Sequence, residues 1–178
     1  MKQVMTGLLL VISFLVPLVN TGAQAEMGFI GSLGIPRGYM DFSINGGWFA
    51  RMNLSFPVDP ELMLTESFST KGDGGGGRLS MNVFSWYLLA RYSLPSLMPK
   101  LSPFVAAGPG IHFMYSFSSD ESALGKRSKT ILLSKAHLFF GVDVDLTPRL
   151  FLTGQGRLTY PSDIILDSGY LGLGMKLQ

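Results

Sequence analysis

The chain has 178 residues, enough for one domain, and its 14 basic and 12 acidic residues nearly balance. This balance gives no electrostatic basis for nucleic-acid binding, and the absence of cysteine excludes disulfides, thiolate metal sites and a lipoprotein anchor. Hydrophobic residues make up 47% of the chain, yet past residue 25 no apolar run approaches the roughly 20 residues of a membrane helix. The 22 glycines and 10 prolines also disfavour long helices.

The first 25 residues are predicted to be a secretory signal peptide. Lys2 supplies positive charge, residues 7–19 form an apolar stretch, and Ala23, Gln24 and Ala25 give the small-x-small pattern that a signal peptidase cuts after. The alternative is an uncleaved N-terminal anchor. The mature domain is therefore expected to cover residues 26–178.

From residue 28 to the C-terminus, apolar and polar residues alternate with period two, which predicts β-strands. Turn-forming residues divide this region into eight predicted strands: 27–35, 42–56, 62–70, 78–94, 102–117, 129–146, 150–160 and 167–177. Short turns at 57–60, 99–101 and 147–149 alternate with longer polar segments at 36–41, 71–77, 118–128 and 161–166. This layout is typical of an all-β, antiparallel up-and-down transmembrane barrel, whose short turns are periplasmic and whose longer loops are external.

Parity separates an apolar face from a polar face in the last four predicted strands. In the sixth strand, Leu138 and Phe140 share the apolar face, whereas His137 and Asp143 share the opposite face. A lipocalin-like soluble barrel would bury the apolar face and expose the charged one. The apolar faces carry no charge over a membrane thickness and have aromatic residues near their ends, which favours lipid outside and a polar lumen. Parity also puts Glu66 on an apolar face, where a bulge would be needed to turn it inward.

The mature region resembles the eight-stranded outer-membrane barrels of the OmpA/OmpX type. The resemblance rests on the segments 103–112, 146–150 and 154–157, and on the last strand, 170–177, which is similar to the terminal assembly signal of such barrels. The family usually ends on Phe or Trp, whereas this chain ends on Leu177 and Gln178. The resemblance implies a monomer in the outer membrane of a Gram-negative bacterium, in contact with lipid and lipopolysaccharide and inserted by the barrel-assembly machinery. It identifies an architecture and not an activity.

Eight strands enclose a lumen that side chains fill, which disfavours a wide pore. The charged and histidine residues on the inward faces are expected to form a structural network of ion pairs and hydrogen bonds, because buried charges need partners. The expected lumen residues are Arg51, Arg91, His112, Lys135, His137, Asp143, Asp145 and Arg157.

The two histidines are expected to be cross-strand or diagonal neighbours on the polar faces of the fifth and sixth strands. A metal pair, a pH-sensitive gate and an acid–base dyad are the functional alternatives. The simpler interpretation is that His112 and His137 are hydrogen-bonded to lumen residues such as Ser85 or Tyr87. No carboxylate is evident at their height, so no metal site or cofactor is predicted.

A non-enzymatic barrel that supports envelope structure or surface interactions through its external loops is the leading functional interpretation. A narrow channel or a carrier of small hydrophobic solutes is one alternative, and a lipid A-modifying enzyme is another. Barrels that deacylate lipid A place a His-x-Ser motif late in the chain, but the equivalent stretch here, 157–162, contains no histidine. Ser116 shares a face with His112 but lies too far along the strand for a hydrogen bond. No catalytic residue is therefore predicted.

Overall fold

The computed structural model describes residues 24–34, 42–54, 57–72, 78–96, 98–118, 129–160 and 168–177. Its strands are β1 (Gln24–Gly34), β2 (Phe42–Asn53), β3 (Val58–Gly72), β4 (Arg78–Ser93), β5 (Leu101–Ser118), β6 (Lys129–Asp145), β7 (Leu150–Tyr160) and β8 (Gly169–Leu177). Each strand pairs antiparallel with its neighbours in the chain, and β8 pairs with β1. The predicted closed, eight-stranded antiparallel barrel is confirmed. Within the described ranges, no helix has the length and apolar character needed to cross a bilayer.

The structure corrects the starts of two predicted strands. β1 begins at Gln24 and β3 at Val58, each several residues earlier than predicted. Asp59 and Pro60 therefore belong to β3 and not to a turn. Pro60, which has no N–H, is tolerated because it lies just before the ladder between β2 and β3 begins. The Asp59 carboxylate accepts a hydrogen bond of 2.8 Å from the Leu54 N–H and holds the connection between the two strands.

The predicted signal peptide, residues 1–25, lies outside the described residues except for Gln24 and Ala25, which begin β1. Most of the four predicted external segments also lies outside them. The turn between β6 and β7 is described completely. There the Thr147 hydroxyl accepts hydrogen bonds from the backbone N–H groups of Arg149 and Leu150 at 3.2 and 3.0 Å, which makes a tight connection at the periplasmic end.

The strands are strongly staggered around the barrel. Followed once around all eight strands, the pairing register returns to β1 displaced by about ten residues. An eight-stranded barrel with this stagger has an interior just wide enough for side chains to fill. Residue parity therefore decides whether a side chain packs in the lumen or faces outward.

Exposure follows the predicted parity. On β6, His137 and Phe139 are 3% and 0% exposed, whereas Leu138 and Phe140 are 44% and 49% exposed. The other strands contribute large, exposed apolar side chains to the same outer surface, including Phe29, Trp86, Leu88, Ile111, Phe113, Leu152, Leu158, Leu171 and Leu173. The barrel therefore presents an apolar exterior suited to hydrocarbon and packs its charges inside.

Glu66 faces outward on β3. The register around it is unbroken, since Glu66 pairs with Gly46 on one side and with Phe84 on the other, so no bulge turns it inward. Of the described side chains that point outward from the strands, Glu66 alone is charged. It lies near the middle of β3, next to outward-facing apolar side chains such as Phe68.

We expect Leu138→Arg to destabilise the folded barrel by about 2–4 kcal/mol, because Leu138 lies in the middle of the exposed apolar surface. Tyr160→Arg, at the end of β7, is the matched control and should lose only about 0–1 kcal/mol. Urea unfolding in lipid vesicles measures both values. Equal losses for the two variants would contradict a lipid-facing exterior.

Candidate functional site

Five charged side chains from five strands meet in the periplasmic half of the lumen. We call this group, formed by Glu26, Arg51, Glu61, Arg91 and Asp143, the ion cluster. Asp143 accepts hydrogen bonds from both guanidinium groups, at 2.6 Å from Arg91. The Glu61 carboxylate lies 3.4 Å from Arg51 Nε and 3.5 Å from Arg91 Nη1. Glu26 completes the cluster at 3.3 Å from Arg51 Nη1.

Aromatic rings hold the two guanidinium groups of the ion cluster in place. The Arg91 guanidinium carbon lies 3.3 Å from the centre of the Phe104 ring. The corresponding carbon of Arg51 lies 4.7 and 5.0 Å from the ring centres of Phe49 and Phe151. Cation–π contact adds to the ion pairs, and the planar guanidinium group suits both interactions. The cluster is thus fixed from its apolar side as well as by its carboxylates.

A polar cavity of about 130 Å³ lies between the ion cluster and the periplasmic ends of the strands. We call it the vestibule. Besides members of the ion cluster, its walls include Asp59, Asp145 and Lys176. Lys176 and Asp145 form an ion pair of 2.8 Å, and about a third of each side chain is exposed. The vestibule has the size and polarity to hold a few water molecules, and the ion cluster forms its inner wall.

Buried apolar side chains fill the middle of the lumen. On β6, Phe139 lies between His137 and Asp143 on the inward face, and on β4, Leu89 lies between Tyr87 and Arg91. We call this layer the apolar belt; its buried members are Ile30, Phe49, Met63, Tyr87, Leu89, Phe104, Ala106, Phe139, Phe151 and Tyr170. The belt lies between the ion cluster and the polar groups nearer the cell exterior, and on β7 the buried polar side chains of Thr153 and Gln155 lie at its level.

Two histidines meet on the extracellular side of the apolar belt. The Nε2 atoms of His112 and His137 are 2.8 Å apart. His112 Nδ1 lies 2.8 Å from the Ser85 hydroxyl, and His137 Nδ1 lies 3.1 Å from the Thr159 hydroxyl. Every ring nitrogen of the pair therefore has a hydrogen-bond partner, and both rings are buried.

A glycine makes this contact possible. In the register between β5 and β6, His112 pairs with Leu133 and His137 pairs with Gly108, so the two histidines are not directly opposite each other. Gly110 lies between them on β5. A Cβ atom there would lie 2.6 Å from His137 Cδ2, so only glycine leaves room for the His137 ring to reach His112.

Tyr87 links the histidine pair to the rest of the lumen. Its ring is fully buried and lies edge-on to both imidazoles, with ring centres 5.5 Å from His112 and 4.9 Å from His137. Its hydroxyl accepts a hydrogen bond from Arg157 Nη1. Arg157 Nη2 in turn lies 3.3 Å from the Ser168 hydroxyl, next to β8. Movement of either histidine would therefore disturb contacts that extend across four strands.

The structure divides the expected lumen residues among several groups instead of one network. Arg51, Arg91 and Asp143 lie in the ion cluster; His112, His137 and Arg157 lie around Tyr87; Asp145 pairs with Lys176 at the mouth of the vestibule; Lys135 is half-buried on the inward face of β6. Glu26 and Glu61 were not among the expected lumen residues, because each lies one residue outside a predicted strand. The sequence did contain a signal for these two carboxylates, because the buried guanidinium groups of Arg51 and Arg91 require carboxylate partners.

The described residues contain no group of three or more His, Asp and Glu side chains that could hold a metal ion. The contact between Ser85 and His112 has the residue types of a nucleophile and a base. Both side chains are enclosed in the lumen, at 2% and 0% exposure. A lipid substrate on the outer surface does not reach them in this arrangement.

No protein-family model matches the sequence, and no curated protein matches it. Solved structures do match. The N-terminal β-barrel domain of Pseudomonas aeruginosa OprF has a TM-score of 0.52 and 15% identity, covering 87% of this chain and 97% of that chain. Ail, the attachment invasion locus protein of Yersinia pestis, in complex with the heparin analogue sucrose octasulfate, has a TM-score of 0.55 and 11% identity, covering 87% and 97%. A major outer membrane protein from Thermus thermophilus has a TM-score of 0.53 and 14% identity, covering 87% and 99%.

These similarities show the fold. Together with the apolar exterior and the charged lumen, they define the chain as a small, eight-stranded integral membrane β-barrel of the outer-membrane type. Its location is the outer membrane, as the sequence predicted.

We expect Arg91→Met to destabilise the barrel by about 3–5 kcal/mol, because it leaves buried carboxylates without compensation. Glu61→Gln should cost less, since the ion cluster holds three carboxylates against two guanidinium groups. Urea unfolding in vesicles at neutral pH compares the two. A larger loss for Glu61→Gln than for Arg91→Met would show that the charge balance of the cluster is not as described.

Gly110→Ala is expected to destabilise the barrel by about 1–3 kcal/mol, because the new methyl group would overlap His137 and Tyr87. Gly46→Ala is the matched control. No atom lies within 4 Å of a Cβ built at Gly46, so this variant should stay within about 0.5 kcal/mol of the wild type. The same unfolding assay applies, and a neutral Gly110→Ala variant would argue against the histidine contact.

Proposed function

We propose that this protein is a non-conducting membrane anchor that presents its external loops for interactions at the cell surface. The observation that carries the proposal is the packing of the lumen. The ion cluster, the apolar belt and the histidine pair follow one another along the axis, so the interior is occupied by side chains. The surfaces left for interaction are the lipid-facing exterior and the loops.

The sequence of the third external segment supports a role in binding. Residues 118–122 include Asp120 and Glu121, whereas residues 126–129 include Lys126, Arg127 and Lys129. A loop with both signs of charge can pair with the phosphates of lipopolysaccharide, with their bound cations, or with a partner protein. Envelope integrity would follow from contacts with lipopolysaccharide, and adhesion would follow from contacts with a protein.

The first test replaces residues 36–41, 73–77, 119–127 and 161–166, one segment at a time and then together, with short Gly-Ser linkers. Each variant is first checked for folding by the migration shift between unheated and boiled samples on a detergent gel. In a strain that lacks the protein, exclusion of a hydrophobic dye and attachment to host or abiotic surfaces are then compared with those of the wild type. We expect that some of the variants fold normally but fail to restore dye exclusion or surface attachment. Full restoration by the variant without all four segments would refute the role of the loops.

The second test measures ion conductance across planar bilayers. The wild type should show no stable conductance, because buried side chains fill the middle of the lumen. A double substitution that shrinks the belt, Phe139→Ala with Met63→Ala, should admit water and produce measurable openings, since both side chains are fully buried. Steady wild-type conductance would favour the narrow-channel alternative. Altered lipid A in cells that overproduce the protein would favour an enzyme.

A further inference from the structure

We propose that His112 and His137 form a proton-binding site in the lumen. The pair holds one proton between its two Nε2 atoms and has no room for a proton on each, so acid breaks their contact and loosens the extracellular half of the lumen. This inference does not depend on the proposed function of the loops.

The geometry of the pair requires a shared proton. A separation of 2.8 Å between two ring nitrogens is that of an N–H···N hydrogen bond, in which one Nε2 donates and the other accepts through its lone pair. When both Nε2 atoms carry hydrogen, two N–H groups point at each other across that distance. The contact then has no acceptor and must open.

The outer ends of the pair accept one additional proton. The hydroxyls of Ser85 and Thr159 both donate and accept hydrogen bonds, so each Nδ1 is satisfied with or without its hydrogen. One ring can therefore be an imidazolium that donates from Nε2 to the other ring and from Nδ1 to a hydroxyl. A second additional proton finds no such arrangement.

Charged side chains of neighbouring strands also surround the pair. Among the described residues, the titratable or charged groups around it include Tyr87 on β4, Lys135 on β6 and Arg157 on β7. Lys135 and Arg157 are cations, and none of the described side chains facing the pair is a carboxylate. These two cations repel positive charge added to the histidines.

These features make the stability of the barrel depend on pH. In the unfolded chain, the two imidazoles take up protons independently as the pH falls through about 6.5. The folded pair takes up fewer, so acid favours the unfolded chain, and the folding equilibrium constant falls about tenfold per pH unit for each proton of difference. Within the folded state, loss of the contact allows both imidazole rings to move next to Tyr87. This movement disturbs the hydrogen bond between Tyr87 and Arg157.

Nitrogen NMR of the ¹⁵N-labelled barrel in lipid nanodiscs tests the shared proton directly. At pH 7.5, we expect scalar coupling across the hydrogen bond between the two Nε2 nuclei, with a single hydrogen bound to one of them. The coupling should disappear in His112→Asn and in His137→Asn. An absence of coupling in the folded wild type, or a hydrogen on each Nε2, would overturn the proposal.

Urea unfolding in vesicles between pH 7.5 and pH 5.5 tests the consequence. Over this whole range, the folding equilibrium constant of the wild type should fall about tenfold more than that of His137→Asn. Glu61→Gln is the control, because it removes a carboxylate of the ion cluster and leaves the histidine pair intact. Its folding equilibrium constant should fall with pH more than that of His137→Asn, by the same factor as the wild type. Equal pH dependence in the wild type and in His137→Asn would refute the proposal. If His137→Asn does not fold, the NMR measurement on the wild type decides.

Discussion

Backbone N–H and C=O groups inside a bilayer have no water to bind, and this constraint underlies every other feature of the structure. The pairing of β8 with β1 closes the sheet, so no strand is left at an open edge. Closure of only eight strands makes a narrow cylinder. A narrow cylinder must fill its own interior, and alternation along each strand then sends one set of side chains to lipid and the other to the axis.

The filling of the axis is layered. Charged groups near the periplasm pair with one another and stack on aromatic rings, an apolar layer follows, and the two histidines lie beyond it. Within each polar layer the charged groups have partners nearby, although some buried atoms, such as Asp143 Oδ1 and Arg157 Nε, have no hydrogen-bond partner. The apolar layer lies between the two polar layers, and Tyr87 belongs to it while its hydroxyl accepts a hydrogen bond from Arg157.

Much of this architecture follows from residue order. Period-two alternation identifies the strands and assigns Leu138 outward and Asp143 inward, because each strand has only two faces. The alternation does not define the strand ends. Pro60 predicts a turn, so the predicted third strand begins after Glu61, although Glu61 lies in β3 and is buried next to Arg51. The direct contact between His112 and His137 also could not be predicted from the sequence. It depends on the tilt of the strands and on the missing side chain of Gly110, which no local pattern expresses.

Glu66 is the exception on an outer surface that is otherwise apolar. A carboxyl group among acyl chains is costly, and its outward-facing neighbours along β3, Leu64 and Phe68, are apolar. At this height the barrel therefore presents to its surroundings a polar group that hydrocarbon alone does not stabilise.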